Sequence, residues 1–282
     1  MKKIIIISIT LFIYLQGYSQ VYMKGNNNSH TANFPELEKL DVSKLECIYQ
    51  YTIMDTELQD SKETYRILQI GEKYVKFSDY GCYRMDSVLS HINKAKLTLH
   101  EFTRIFNTYS PSMDYILKEK RIGKLTVYDR VFTDRYMYEE PVSNFKWSLS
   151  KDTMTICGYL CHKAKSTFRG RHWLAWYSDL PISEGPWKFC GLPGMILRIE
   201  DSNHEHLFTA ISIRNIKSNI TRKKQSNTKT TRQKFNKALA IYKSNPGNII
   251  SGSQLAPKDK DGNEIPIRKK KMFFNPIEKE EE

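Results

Sequence analysis

The chain has 282 residues, 40% hydrophobic and 12% aromatic, enough apolar material to build a core and to exclude global disorder. Lys and Arg total 44 against 31 Asp and Glu, for a net charge of +13, and residues 211–275 hold 16 of the basic side chains and 3 of the acidic ones. The remainder is electrically neutral, so a nucleic-acid footprint over the whole surface is excluded and no nucleic-acid partner is expected.

Residues 1–19 read as a secretory signal peptide. Lys2 and Lys3 open it, Ile4–Tyr14 supplies the apolar run, and Gly17 and Ser19 are the small residues before a cut between Ser19 and Gln20. The run is short of the roughly 20 residues that a membrane span needs, and no later segment is apolar enough to span. The expectation is an exported protein of the periplasm or cell surface, with no transmembrane span after cleavage. Five cysteines then face an oxidising compartment: Cys47, Cys82, Cys157, Cys161 and Cys190. The odd count leaves at least one unpaired. On one extended strand, Cys157 and Cys161 would stand roughly 13 Å apart at about 3.3 Å per residue. A disulfide tolerates less than about 7 Å, so buried free thiols are expected there unless a turn or bulge intervenes.

After an Asn-rich start, Leu45–Met54, Thr64–Ile70 and Tyr74–Tyr80 alternate and carry β-branched and aromatic residues, which predicts a three-strand meander. Over 89–120 the period changes: Leu89, Ile92, Leu99, Phe102 and Phe106 recur at helical spacing. Thr98 and Glu101 form a capping box, Ser110-Pro111 breaks the helix, and Met113–Lys120 reads as a second short helix. Strands resume at Lys124–Phe132 and Phe145–Leu149. A hairpin follows from Thr153–Phe168, turning at Arg169-Gly170-Arg171 into His172–Ser178. A long loop, Asp179–Gly194, leads into Met195–Asp201 and, past a polar turn, Leu207–Ile213. Helices inserted in a strand-rich chain predict an α+β fold, a mostly antiparallel, curved, half-barrel-like sheet with one or two short helices packed on it. Residues 20–214 form this domain. Residues 215–282, rich in Lys, Ser, Asn and Thr, read as a basic arm, partly disordered, with one short helix over Thr231–Lys243.

The stretch 156–201 carries the most information. Leu192-Pro193-Gly194-Met195 has type II turn chemistry, with Pro fixing φ and Gly accepting a positive φ. Gly185-Pro186 makes a second stiff bend. Trp187 and Phe189 lie between these bends, and Trp173, Trp176 and Tyr177 occupy the preceding strand. Such a doubly braced aromatic loop serves either as a folding staple or as the rim of a binding site.

This stretch resembles the GLPGLI family of exported Bacteroidota proteins. The name motif stands as Gly191-Leu192-Pro193-Gly194-Met195-Ile196. Its flanks are similar too, through Gly158–Ala164, Gly170-Arg171, Ala175-Trp176-Tyr177 and Pro181–Phe189, as is the ending Asn275-Pro276-Ile277-Glu278. Met195, Cys157 and Cys190 depart from the pattern, and the cysteines would suit a local disulfide peculiar to this chain. The resemblance implies export and a β-rich body, with no established activity, cofactor or catalytic residue to carry over. It also implies a setting near TonB-dependent outer-membrane transporters. The strand order is similar to that of lipoprotein-carrier half-barrels, by fold analogy alone.

Recognisable reaction chemistry is sparse in the chain. The chain has no Gly-x-Ser-x-Gly elbow, P-loop or dinucleotide fingerprint, and no cofactor is expected. His204 and His206 can be drawn as a partial metal site, but no third ligand is indicated. Cys161/His162 and His172/Asp179 can be drawn as dyads, although the first pair points to opposite strand faces. Glu200 and Asp201 also alternate in facing and make no glycosidase pair. Arg169 and Arg171 flank a turn, as anion-gripping or simply solvated residues.

The leading expectation is a non-catalytic envelope protein that binds a hydrophobic or amphiphilic ligand or partner through 173–197. Its binding residues are Trp173, Trp176, Tyr177, Trp187, Phe189, Leu192, Pro193 and Arg171. The alternatives are an accessory subunit of an outer-membrane complex docking through the basic arm, and an exported hydrolase or thiol enzyme.

Overall fold

A computed structural model describes residues 35–93, 96–251, 256–259, 261–265 and 271–279. The signal-like start, the Asn-rich stretch and most of Arg268–Lys271 lie outside the described residues. A long first strand, β1 (Glu36–Asp55), stands between two meanders. On one side run β2 (Asp60–Gly71), β3 (Tyr74–Asp79), β4 (Tyr115–Glu119), β5 (Lys124–Val131) and β6 (Asp134–Pro141). On the other run β7 (Ser148–Ile156), β8 (Tyr159–Phe168), β9 (Arg171–Ser178), β10 (Ile196–Asp201) and β11 (His206–Arg214). Within each meander every strand pairs antiparallel with its chain neighbour, including across the helices between β3 and β4 and the long loop between β9 and β10. β1 joins them by pairing with β2 and β11. β12 (Asn219–Lys224) pairs with the first half of β1, and β13 (Thr228–Lys229) adds parallel to β6. The result is the expected mostly antiparallel, open, curved sheet, here of 13 strands.

Four short helices complete the described residues. α1 (Tyr80–Ser90) starts directly from β3, its N-cap Asp79 accepting from the Cys82 N–H. α2 (Leu99–Tyr109) carries the capping box read from Thr98 and Glu101, with both reciprocal bonds formed. Together they bury Met85, Leu89, Leu97, Phe102 and Phe106 in a small core of their own. α3 (Arg232–Ser244) is the helix expected near 231–243 and buries Phe235 and Tyr242; α4 (Pro246–Ile250) follows.

Three local readings change. Residues 113–120 are not a helix: Tyr115, Ile116 and Leu117 are all buried, and β4 fills the place between β3 and β5. A segment covered on both sides loses the amphipathic period that distinguishes helix from strand. Thr153–Phe168 is not one strand either. Cys157 (φ 51°) and Gly158 (φ 81°) form a two-residue turn between the paired Ile156 and Tyr159, the hairpin geometry in which both turn residues are left-handed. So Cys157 and Cys161 do not share an extended strand, and all five thiols are free in the structure. Finally, Gly194 does not adopt a positive φ. A Cβ there would lie 1.6 Å from the Ser178 carbonyl oxygen, so glycine is required by close backbone approach.

Residues beyond 214 do not simply trail away. They supply β12, β13 and α3, and Asn275–Lys279 returns to the β8–β9 turn, where the Lys279 N–H donates to the Arg169 carbonyl at 3.1 Å.

Candidate functional site

The predicted rim at 173–197 is largely core. Alternation along β9 turns Trp173, Ala175 and Tyr177 inward, all buried, and leaves Leu174 and Trp176 half-buried on the opposite face. Trp173 packs edge-on against Phe189 at 4.6 Å, and Phe189 also meets Phe145 at 5.5 Å. Leu192 is buried and Pro193 is exposed. Trp187, held at φ 55°, touches Phe189 at 5.0 Å and borders a half-open void. Of the eight predicted binding residues, Trp187 alone lines that void.

The void is a cavity of about 520 Å³ between the sheet and segments from the far end of the chain. Its floor is aromatic. Tyr51 of β1 stacks on Phe208 of β11 with ring centres 4.0 Å apart, and Phe77 of β3 meets Phe208 edge-on at 6.1 Å. Val127 and Tyr138 extend the floor across β5 and β6. The roof is Phe235, Leu239 and Tyr242 of α3, with residues 272 and 274–278 beside Trp187.

One end is ionic. The Arg66 guanidinium donates to Asp114 at 2.6 Å, and its Nε finds no partner among the described residues. Asp114 is held below the usual carboxylate range by Arg66 and by the Ser112 hydroxyl, against the upward push of burial. Burial, reinforced by the Asp114 charge, pushes Asp129 up to about 7. Burial likewise raises Asp79 to about 6. Arg130 and Lys243 line the same end.

The roof segment is fastened by buried charges. Arg171, 1% exposed at its side chain, donates through Nε to the Ile277 carbonyl at 3.0 Å. One terminal nitrogen donates to Asp201 at 2.8 Å and Glu205 at 2.6 Å, the other to Asn275 Oδ1 at 2.7 Å and the Pro276 carbonyl at 2.8 Å. All five donors of the guanidinium are thus matched. Lys188, equally buried, pairs with Glu140 at 2.5 Å and Glu278 at 2.9 Å, and Arg169 pairs with the same two carboxylates. Phe274 N–H donates to Asp55 at 2.8 Å, and Asn275 Nδ2 to the Met54 carbonyl at 2.6 Å. Arg169 and Arg171, read as an anion grip or solvated pair, are instead the internal anchors of residues 275–278.

The other drawn sites come apart. His204 is exposed on Glu200 at 3.0 Å, whereas His206 is buried with Nδ1 on the Tyr51 hydroxyl at 2.8 Å. Burial, helped by the Arg171 charge, lowers His206 to about 4. Among the described residues no three His, Cys, Asp or Glu side chains are grouped as metal ligands would be. Asp179 faces His162 at 3.4 Å rather than His172, which contacts Thr167. Burial pushes Cys161 up to about 11, so it stays a thiol and lacks the thiolate a nucleophile needs. Cys157 and Cys190 donate to the carbonyls of Ala210 and Ser143.

The family profile described as "N-glycanase peptide, N-terminal domain" matches residues 118–241. No curated protein matches the chain. Among solved structures, PNGF-II in space group C2 is similar at 12% identity and TM-score 0.47, over 71% of this chain and 33% of that one. PNGF-II in space group P21 is similar at 12% identity and TM-score 0.47, over 79% and 39% respectively. The chain thus spans well under half of either structure.

Proposed function

We propose that the protein is a non-catalytic binder of an amphiphilic ligand, held in the cavity between the curved sheet and α3. The observation that carries this reading is the void itself: about 520 Å³, walled by aromatic rings and ending in ionised groups. Ligand sites commonly enclose roughly 300–1,000 Å³ and combine apolar walls with a few placed polar groups. The reading keeps the ligand class expected from sequence and moves the site from 173–197 to the cavity, with Trp187 common to both. Export and membership of the GLPGLI family belong to the same proposal and rest on the sequence features given above. A docking role for residues 215–282 is less favoured, because β12 and α3 are already used in the sheet and the cavity roof.

The test is native mass spectrometry of protein purified from its own host without reduction. A bound organic adduct is expected in the wild type and reduced in Leu239→Trp, which narrows the cavity, with circular dichroism unchanged. A bare mass in both, with no uptake of added amphiphiles, would overturn the reading.

A second reading rests on the family profile. The matched residues include Asp129, Arg130, Tyr138, Trp187, Phe208 and Phe235 of the cavity wall, and the profile's name belongs to an N-glycanase. On this reading the ligand is a glycan or glycopeptide. Binding of released N-glycans, lost in Phe208→Ala and Phe235→Ala, would support it over a lipid-like ligand.

A further inference from the structure

Six Asp, Glu, Lys or Arg side chains line the cavity: Arg66, Asp114, Asp129, Arg130, Lys243 and Glu278. Three of them are already matched. Arg66 is closed on Asp114, and Glu278 on Lys188 and Arg169. The remaining three are two cations and one carboxyl. Among the described residues, the Asp129 carboxylate accepts only from the backbone N–H of Arg130. Neither the Arg130 guanidinium nor the Lys243 ammonium has a hydrogen-bond or ion-pair partner among the described residues. They belong to different elements, β5 and α3, that pack together at this end of the void.

Resting on the cavity reading, we infer that the ligand is an anionic amphiphile, an apolar body carrying a carboxylate or phosphate head that sits between Arg130 and Lys243. Arg130 and Lys243 are each half-buried, and a charge-assisted bond to an oxyanion would offset their partial loss of water and add a strong contact. The electrostatics agree. Burial, together with the charges of Lys62 and Arg130, holds Lys243 below the ordinary lysine range, with Asp129 opposing. Lys62 lies with its ammonium 4.7 Å from the Phe273 ring centre. Asp129 does not cancel this excess, since its carboxyl carries a proton part of the time near neutral pH and then offers the head group an O–H donor. A neutral head would leave two cations unmatched, and a cationic head would add a third.

The experiment uses the full chain and cis-parinaric acid as a fluorescent probe, its methyl ester as the uncharged counterpart, and inorganic phosphate as a free anion. Lys243→Gln is compared with Lys237→Gln, an exposed lysine on the same helix. The expected result is binding of the acid, with the ester about 10-fold or more weaker. Lys243→Gln is expected to bring the acid down to the ester's level, while Lys237→Gln changes neither. Equal binding of acid and ester, or an equal loss of both in Lys243→Gln, would overturn the inference while leaving an uncharged-ligand cavity standing. Displacement of the acid by millimolar phosphate would overturn the amphiphile in favour of a free-anion site. Failure of both acid and ester to bind would sink the cavity reading, and this inference with it.

Discussion

Two regions of this molecule are rich in aromatic residues, and they have opposite fates. In the 173–197 block the rings are close in sequence, on one strand and the loop that follows it, and they fill the space between them: Trp173 and Phe189 are all but inaccessible. Around the cavity the rings come from β1, β3, β11 and α3, which are far apart in the chain, and they enclose a void. Neighbouring segments can interdigitate to the density of an organic crystal. Walls fixed by separate sheet pairings meet with a gap that no single local choice closes. Aromatic density in a sequence is therefore a sign of core, and the cavity lies where distant elements face one another.

The largest expected effect tests the packed side of that contrast. Gly194→Ala places a methyl into the Ser178 backbone, and should cost more than about 3 kcal/mol in urea denaturation because main chain must move. A variant as stable as wild type would show that this loop is not packed as described. Arg171→Met leaves Asp201 and Glu205 without their cation and frees residues 275–277. A loss of roughly 3–5 kcal/mol is expected, with protease cleavage appearing in that segment. Trp173→Ala should cost about 3–5 kcal/mol. Trp187→Ala should cost visibly less and instead change the uptake of a cavity probe; equal losses in the two would erase the distinction between the regions.

Two titrations give smaller, pH-dependent effects. His206 has a folded pKa lowered to about 4, so its neutral form is favoured by folding. Its contribution is complete above the unfolded value near 6.5 and is lost as pH falls from there towards 4. The denaturation midpoint should decline over that window and decline less in His206→Gln. Asp129 behaves in the opposite sense. Its folded pKa is raised to about 7, so stability is highest while it is protonated and falls as pH rises from about 4 to 7. Asp129→Asn should be more stable than wild type at pH 8 and no more stable at pH 3, as read by thermal unfolding.

Much of the scaffold was legible along the chain. The alternation in Leu45–Met54, Thr64–Ile70 and Tyr74–Tyr80 and the capping box at Thr98 and Glu101 all specify their structures through neighbours within a few residues, although Tyr80 itself opens α1. Phe235 and Tyr242 similarly mark the buried face of α3. The site was not legible in the same way. Lys188 gave one hint, a lysine between Trp187 and Phe189 in an apolar loop, but its partners Glu140 and Glu278 are remote. Arg66, Asp129 and Lys243 look like ordinary surface charges until the sheet places them around one void.

The sequence by itself determined an α+β chain dominated by antiparallel strands, the capping box at Thr98 and Glu101, the sharp turn at Arg169-Gly170, and the apolar faces to be buried. Only the tertiary structure decided that Gly194 answers to a carbonyl rather than to φ, and that Arg171 is a clamp rather than a solvated turn residue. It also decided that β1, β5, β11, α3 and residues 274–278 surround a cavity in which Arg130 and Lys243 have no ion-pair partner among the described residues. The physical reason is one of range. Periodicity and capping act over one or two turns of chain, whereas packing against a remote segment, and the space left when that packing is incomplete, depend on pairings that no local pattern records.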